Sequence, residues 1–360
     1  WINKPAHSLA AIFRSWMPQT AANNDERLAL VKVLFNRFPD VAWTLCVAQF
    51  GNHHQVGDYS HKPTWRPDGY GHGEPFPTWG PKLEFAGKMI ELALSQPRYS
   101  VSMLSDLIDR LHDLADADQD RVWELVEAWA KTASDSDKIA LREKIRVSTL
   151  SRRATLRASK SSKQSRVAAA AKHIHAALEP SNLLDKHAWL FKGPWIEESA
   201  DELEDLENID YEEREARIRK QRADALKEIH GQYGVAGLLD TAIRSGASGI
   251  IGALVAERVL DEEDLLALVT QAFQKRSESE SAASASEWLI QGALGVMPND
   301  QKREAFLSSA ITAIDPDNAA RFLALAPVGE GTWSLVSSYG EEVETRYWKE
   351  VVPGWMRDSP

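Results

Sequence analysis

The sequence predicts an all-α protein built as an α-solenoid of degenerate antiparallel helical hairpins, of the HEAT or TPR kind, with one long loop rich in Gly, Pro and Trp. Apolar residues recur at positions i, i+3, i+4 and i+7 along most of the chain, which is the spacing of one buried helix face. Short polar, Gly or Pro connectors separate these segments. No segment has the alternation of a β-strand or the turn of a hairpin. Helices of similar length in sequence order bury their apolar faces by stacking on their neighbours.

The composition and the net charge of the chain argue against several classes of function. The chain has 360 residues, 43% of them hydrophobic, and a formal charge of −11 with an isoelectric point near 5.5. This charge argues against a surface that binds nucleic acid or an anionic membrane as a whole. The sequence contains no run of 18 apolar residues and only one cysteine, so we expect a cytoplasmic protein. The chain begins without Met, so we expect it to be a segment of a longer protein. The single cysteine, Cys46, lies among apolar residues and is expected to be a small buried hydrophobe.

The N-terminal half, residues 1–180, is predicted to be a helical array. Residues 8–17 and 26–50 have helical patterns, and Pro39 is expected to open a new helix as its first residue. The helix that follows Pro39 is apolar on nearly all sides, which indicates an internal position.

Residues 51–81 interrupt this array with a long loop, because their many Gly and Pro residues forbid a regular helix. The loop is also rich in aromatic residues, so we expect it to pack against the protein. Trp65, Arg66, Tyr70 and Trp79 are the candidate partner-binding residues of this loop, because aromatic and arginine side chains supply much of the energy of protein interfaces.

The same loop contains candidate metal ligands. Imidazole and carboxylate side chains together suit zinc or a similar ion, and the candidates are His53, His61 and His72. A metal-dependent hydrolase is therefore one possible function. The H-E-x-x-H signature is absent, and the alternative interpretation is that these imidazoles donate hydrogen bonds to loop carbonyls. We expect no cofactor, because the nucleotide-binding glycine motifs are absent as well.

Two blocks of opposite charge follow. Residues 142–172 contain ten Lys or Arg and one acid without any Gly or Pro, which predicts one long basic helix over about residues 138–177. Residues 197–215 contain eleven acids and one Arg. Three interpretations of these blocks are open. Both blocks are solvated faces that neighbour each other in the fold, or the basic helix is a nucleic-acid site, or the charges form a surface that binds a protein. Arg152, Arg153 and Arg157 are the partner-binding candidates on this helix.

The C-terminal half, residues 181–360, is predicted to be a second helical array that the acidic segment precedes. Asp261 is expected to cap a helix, because the exposed amides at a helix start favour negative charge. Gly246, Gly249 and Gly252 recur at every third residue, and close packing of a helix explains them better than a nucleotide site does. The remaining helices are predicted at residues 218–229, 235–243, 247–258, 265–273, 287–296, 306–314, 318–325 and 340–351.

Three signatures in this order resemble a known group of proteins. They are KPTWRP (residues 62–67) after FPDVAWTL (residues 38–45), KHAWLF (residues 186–191) before the acidic stretch, and TWSLVSSYGEEVETRYWKEVVP (residues 332–353). The chain resembles the helical-repeat region of very large bacterial proteins that carry an N-terminal effector or NTPase module, including anti-phage defence proteins of the STAND and sirtuin-linked kinds. The resemblance implies a sensor or scaffold segment whose enzymatic work is done by other modules, with no catalytic residue in this segment.

The leading expectation is therefore a non-enzymatic α-solenoid that binds a protein through a concave face and the loop of residues 51–81. The partner would be a phage protein or another module of the parent protein, and oligomers would form through that parent. Nucleic-acid binding by residues 142–172 is the first alternative and predicts affinity that falls steeply with salt. The metal-dependent hydrolase is the second.

Overall fold

A computed structural model describes residues 4–50, 75–158, 164–200, 210–297, 300–314 and 318–351. Every regular element of these residues is a helix, which confirms the all-α prediction. Contacts divide the chain into two compact units: unit 1 is Trp1–Glu179 with Ser199–Glu204, and unit 2 is Pro180–Glu198 with Asp205–Pro360. Within the described ranges, no helix combines the length and the apolar character needed to cross a membrane.

Unit 1 contains nine described helices. They are α1 (Pro5–Ile12), α2 (Asn24–Arg37), α3 (Pro39–Val47), α4 (Trp79–Leu94), α5 (Val101–Asp109), α6 (Asp116–Ala130), α7 (Asp135–Ile145), α8 (Arg152–Ala158) and α9 (Gln164–Ala177). Pro39 is the first residue of α3, and Trp43, Leu45 and Cys46 of that helix are buried, as predicted. The last residues of the predicted loop are helical, since α4 begins at Trp79.

A buried arginine holds the first helices of unit 1 together. The Nη1 atom of Arg27 donates hydrogen bonds to the carbonyls of Ile12 (3.3 Å), the last residue of α1, and of Arg14 (2.8 Å). Its guanidinium lies 3.9 Å from the centre of the Phe85 ring of α4. Burial lowers the pKa of Arg27 to about 10, so the side chain remains charged at neutral pH. Carbonyl oxygens at the end of α1 and just after it thus accept hydrogen bonds from a side chain of α2.

The prediction of one long basic helix over residues 138–177 is wrong. Helix α7 ends in a π-helical turn, Arg146–Leu150, and Ser151 has an extended backbone with ψ of 157°. The hydroxyl oxygen of Ser151 then accepts a hydrogen bond from the amide of Ala154, at the start of α8. Serine hydroxyls that bond to nearby amides compete with a continuous helix, and this local chemistry breaks the segment although it lacks Gly and Pro.

Unit 2 contains nine further helices in the described residues. They are α10 (Leu183–His187), α11 (Tyr211–Ile243), α12 (Ser248–Leu254), α13 (Glu262–Lys275), α14 (Glu280–Gly295), α15 (Asp300–Thr312), α16 (Ala319–Leu323), α17 (Glu330–Ser338) and α18 (Glu341–Glu350). Asp261 caps α13 by accepting a hydrogen bond from the amide of Asp264, as predicted. Residues 218–229 and 235–243 were predicted to be separate helices, and Tyr211–Ile243 is divided between them at Gly234, whose backbone is not helical, with φ of 62° and ψ of −159°.

Helices of unit 2 pack mainly on helices close to them in the chain. Helix α11 contacts α12, α13 and α14, while α13 contacts α15, α15 contacts α17, and α16 contacts α18. Their buried side chains form one continuous apolar core that extends from Leu190 to Tyr347. The core of unit 2 is thus built largely from helices that are near one another in the chain.

The glycines of α12 allow the closest of these helix contacts. A Cβ atom on Gly252 would overlap the carbonyl oxygen of Leu289 in α14, and one on Gly292 would overlap the carbonyl oxygen of Gly249. The two backbones approach each other directly because no side chain stands between them. Close helix packing, and not a nucleotide loop, thus explains the spacing of Gly249 and Gly252.

Replacing Gly252 with Ala is expected to lower the free energy of unfolding by about 1 to 3 kcal/mol, the typical cost of overpacking a core. The added methyl group must push α12 and α14 apart. Gly231→Ala is the matched control, since Gly231 lies in α11 with open space around its Cα, and Ala is the better helix former. Urea denaturation measures both variants, and equal stability of Gly252→Ala and the parent protein would refute the close contact.

Candidate functional site

A cleft of about 250 Å³ lies within unit 2, between the turn that follows Phe191 and helices α11 and α12. The turn supplies an aromatic wall, α11 supplies most of the charge, and α12 supplies an apolar floor. The lining residues are Pro194 and Trp195 from the turn, Arg214, Glu215, Ile218, Arg219 and Arg222 from α11, and Ile250, Ala253 and Leu254 from α12.

Arg222 fixes the turn against α11. The side chain is only 4% exposed. Its Nε atom donates to the carbonyl of Leu190 (2.9 Å), and its Nη2 atom donates to the carbonyls of Gly193 (2.8 Å) and Pro194 (3.2 Å). Burial lowers the pKa of Arg222, with the charge of Glu215 opposing that effect. Among the described residues, none accepts a hydrogen bond from Nη1 of Arg222.

Trp195 forms the outer wall of the cleft. It comes directly after Gly193 and Pro194, whose carbonyls accept hydrogen bonds from Arg222. Its side chain is 76% exposed. The guanidinium of Arg214 lies 5.6 Å from the centre of its indole ring, within the range of a cation–π contact. The backbone that carries this exposed indole is therefore anchored from the protein interior.

A buried carboxylate organises the first turns of α11. Glu198 is buried, and its carboxylate accepts hydrogen bonds from Arg214 (2.8 Å) and Arg217 (3.4 Å). Arg214 also donates to the carbonyl of Ile196 (2.8 Å). The interpretation of residues 197–215 as a wholly solvated face is therefore wrong at Glu198, because a buried carboxylate needs paired cations.

The lining of the cleft contains one carboxylate, Glu215, among its described residues. It combines an exposed indole, aliphatic side chains and guanidinium groups held in fixed positions. Such surfaces provide large contact area and directed hydrogen bonds to a ligand.

Most of the predicted loop residues lie outside the described ranges. The residues outside these ranges include the partner-binding candidates Trp65, Arg66 and Tyr70. They also include the metal candidates His53, His61 and His72. Trp79 is described: it is 67% exposed at the start of α4, with the ammonium group of Lys82 4.4 Å from its ring centre. Within the part of the chain that the structure describes, no group of three or more His, Cys, Asp or Glu side chains could hold a metal ion.

Three cations of the predicted basic helix have partners within unit 1. Lys144 Nζ lies 2.5 Å from Asp109, and Arg146 Nε lies 2.8 Å from Glu143. Arg142 Nε donates to the carbonyl oxygen of His175 (3.1 Å). These cations belong to the packing of α7 and α9, so they do not form a continuous free basic surface.

The three partner-binding candidates of this segment, Arg152, Arg153 and Arg157, lie in α8. Arg152 and Arg153 are its first two residues, and both make contacts with other groups. Arg157 lies in the same helix. The structure therefore places all three on one short helix, and not on the long basic helix that the sequence predicts.

Cys46 is completely buried and lies 4.0 Å from the sulfur of Met89. Burial raises the pKa of its thiol to about 12, so the thiolate is scarce at neutral pH. The expectation of a small buried hydrophobe is confirmed.

Sequence reasoning missed the cleft, because its parts are separated in the chain and lie in three different patterns. Trp195 lies just before the acidic block, Arg214 lies near the end of that block, and the other arginines of α11 follow it. One signal was available: Arg214, Arg217, Arg219 and Arg222 recur within a segment whose apolar face is narrow, and such arginines need partners.

The chain matches no protein-family model, no curated protein and no solved structure.

His175 of unit 1 predicts a pH dependence of stability. Burial and the neighbouring Arg142 and Arg146 lower its pKa to about 4, whereas an unfolded histidine has a pKa near 6.5. The unfolded state therefore binds more protons between these values, and the free energy of unfolding falls as the pH is lowered from about 6.5 to about 4. This group contributes a slope of at most about 1.4 kcal/mol per pH unit.

His175→Gln is expected to make stability less dependent on pH in this interval, as measured by urea denaturation at several pH values. His173→Gln is the matched control, because the His173 side chain on the same helix is 77% exposed. Identical pH profiles for His175→Gln and the parent protein would contradict the assignment of a neutral buried imidazole.

Proposed function

We propose that this chain is a non-enzymatic helical-repeat segment that binds a protein partner through the cleft of unit 2. The observation that carries the proposal is the exposure of Trp195. Among the described residues, it is the most exposed of the large hydrophobic side chains. Leaving an indole in water forgoes a large gain from burial, and an indole with a fixed backbone next to arginines is typical of the centre of a protein interface.

The cleft is organised before any ligand arrives. Arg222 fixes the backbone before Trp195, and Arg214 contacts the indole while bonded to Glu198. Binding to a fixed surface costs less conformational entropy than binding to a mobile one. This preorganisation favours recognition of a specific partner.

The packing of unit 2 supports a helical-repeat architecture for this function. Its helices contact mainly their neighbours in the chain, as in solenoid arrays, which use extended surfaces for binding proteins. The resemblance of residues 38–45, 62–67, 186–191 and 332–353 to large bacterial defence proteins supports a cytoplasmic role of this kind. We infer that the segment senses a phage protein or acts as a scaffold for an effector module elsewhere in the parent protein.

The nucleic-acid alternative has less support. Lys144, Arg146 and Arg142 are engaged by Asp109, by Glu143 and by the carbonyl of His175. Phosphate groups would compete with these contacts. Binding by residues 142–172 would have to use the cations that remain.

Trp195→Ala is expected to abolish capture of the partner, because the substitution removes the main apolar wall of the cleft. Its side chain is exposed, so the free energy of unfolding should change by less than about 0.5 kcal/mol. The measurement is affinity capture of the parent protein during phage infection, followed by mass spectrometry. Titration of the purified partner against the 360-residue chain then gives the affinity.

Trp288→Ala is the matched control. Trp288 lies on α14, is 60% exposed, and does not line the cleft. Retention of the partner by Trp288→Ala and its loss by Trp195→Ala support the proposal. A partner that binds the parent protein and both variants with equal affinity refutes the cleft as the site.

A further inference from the structure

We propose that the cleft selects an acidic segment of its protein partner, with a carboxylate next to Nη1 of Arg222 and an apolar side chain against Trp195. This inference depends on the proposed function and specifies the chemistry of the partner. It comes from Nη1 of Arg222, which has no acceptor among the described residues, and from the apolar residues that line the same cleft.

Arg222 is a buried cation whose described hydrogen-bond partners are all neutral. Nε and Nη2 donate to backbone carbonyls, and no carboxylate accepts a hydrogen bond from the side chain. Arg222 lines the cleft, and none of the described residues accepts a hydrogen bond from its Nη1 atom. A carboxylate placed in the cleft would complete this set with a charge-assisted hydrogen bond, which is stronger than a bond between neutral groups.

The other arginines of the cleft already have carboxylate partners. Glu198 meets Arg214 and Arg217, and Glu257 meets Arg219. Arg222 is therefore the cation that is left for an incoming carboxylate. Glu215 is exposed at the cleft and is the nearby charge that opposes such a ligand.

The apolar part of the cleft fits a side chain. Ile218, Ile250 and Leu254 line the cleft together with Trp195. A volume of about 250 Å³ is smaller than the 300 to 1,000 Å³, roughly, of pockets for drug-sized molecules. One or two aliphatic or aromatic side chains of a peptide fill such a space.

The local charges favour a peptide over a nucleic acid. A strand of nucleic acid brings one phosphate per nucleotide, and its phosphates would meet the exposed carboxylate of Glu215 in the cleft and find Arg214 and Arg219 already paired with Glu198 and Glu257. A peptide brings one carboxylate where Arg222 lies and apolar groups elsewhere. We therefore infer a segment in which Asp or Glu stands close to a large apolar residue.

Selection from a random twelve-residue peptide library on the full 360-residue chain tests this inference. Peptides that also bind Trp195→Ala are removed. We expect the remaining peptides to contain Asp or Glu next to an aliphatic or aromatic residue. Replacing the acid of a selected peptide with its amide should weaken binding tenfold or more, about the strength of one hydrogen bond to a charged group.

A variant that leaves Arg222 intact tests the role of charge in the protein, because loss of Arg222 would release the turn itself. Glu215→Gln removes the opposing charge and should strengthen binding of the selected acidic peptide about two- to fivefold, as for exposed charge pairs. Asp224→Asn, which also removes an exposed acid from α11, should leave the affinity unchanged. Fluorescence polarisation measures both.

The outcomes separate the two proposals. Selected peptides that depend on Trp195 but contain no acid, or that bind equally as amides, overturn the inference and leave the binding function standing. A library that yields no peptide dependent on Trp195 overturns both. A single-stranded oligonucleotide that binds at the cleft more tightly than any peptide also overturns both.

Discussion

The site in unit 2 depends on one interaction, the donation of hydrogen bonds by buried Arg222 to the backbone carbonyls before Trp195. An irregular turn has no helix or sheet to satisfy its carbonyls, and burial of the guanidinium makes each of these bonds costly to lose. In unit 1, Arg27 donates by the same chemistry to the carbonyls of Ile12, at the end of α1, and of Arg14. In unit 2, the segment that the arginine fixes presents an exposed indole next to the cleft.

The floor of the cleft depends on a second constraint, the direct contact between α12 and α14. Gly252 and Gly292 have no side chains, so the two backbones meet and the position of α12 is set. The other side of α12 carries Ile250 and Ala253, which line the cleft. Packing that looks purely structural therefore determines where the apolar floor lies.

The sequence predicted those features that depend on local patterns. The all-α class, the helix start at Pro39, the cap at Asp261 and the close packing at Gly252 follow from spacing and from side-chain size. The break in the helix at Ser151 could not be predicted from residue spacing, because it depends on a serine hydroxyl that competes with the helix backbone for hydrogen bonds. The cleft was missed for a different reason. Its wall, cations and floor come from residues near 195, 214–222 and 250–254, and only tertiary packing brings them together.

Covalent trapping at the site tests the account most directly. Trp195→p-benzoylphenylalanine places a photoreactive group at the wall of the cleft, and the same group at position 288 serves as the reference. Irradiation of infected cells that contain the parent protein is predicted to attach a protein partner at position 195 and not at 288. The attached peptide should contain an acidic residue next to the crosslink. A nucleic-acid adduct, or the same protein adducts at both positions, would contradict the account.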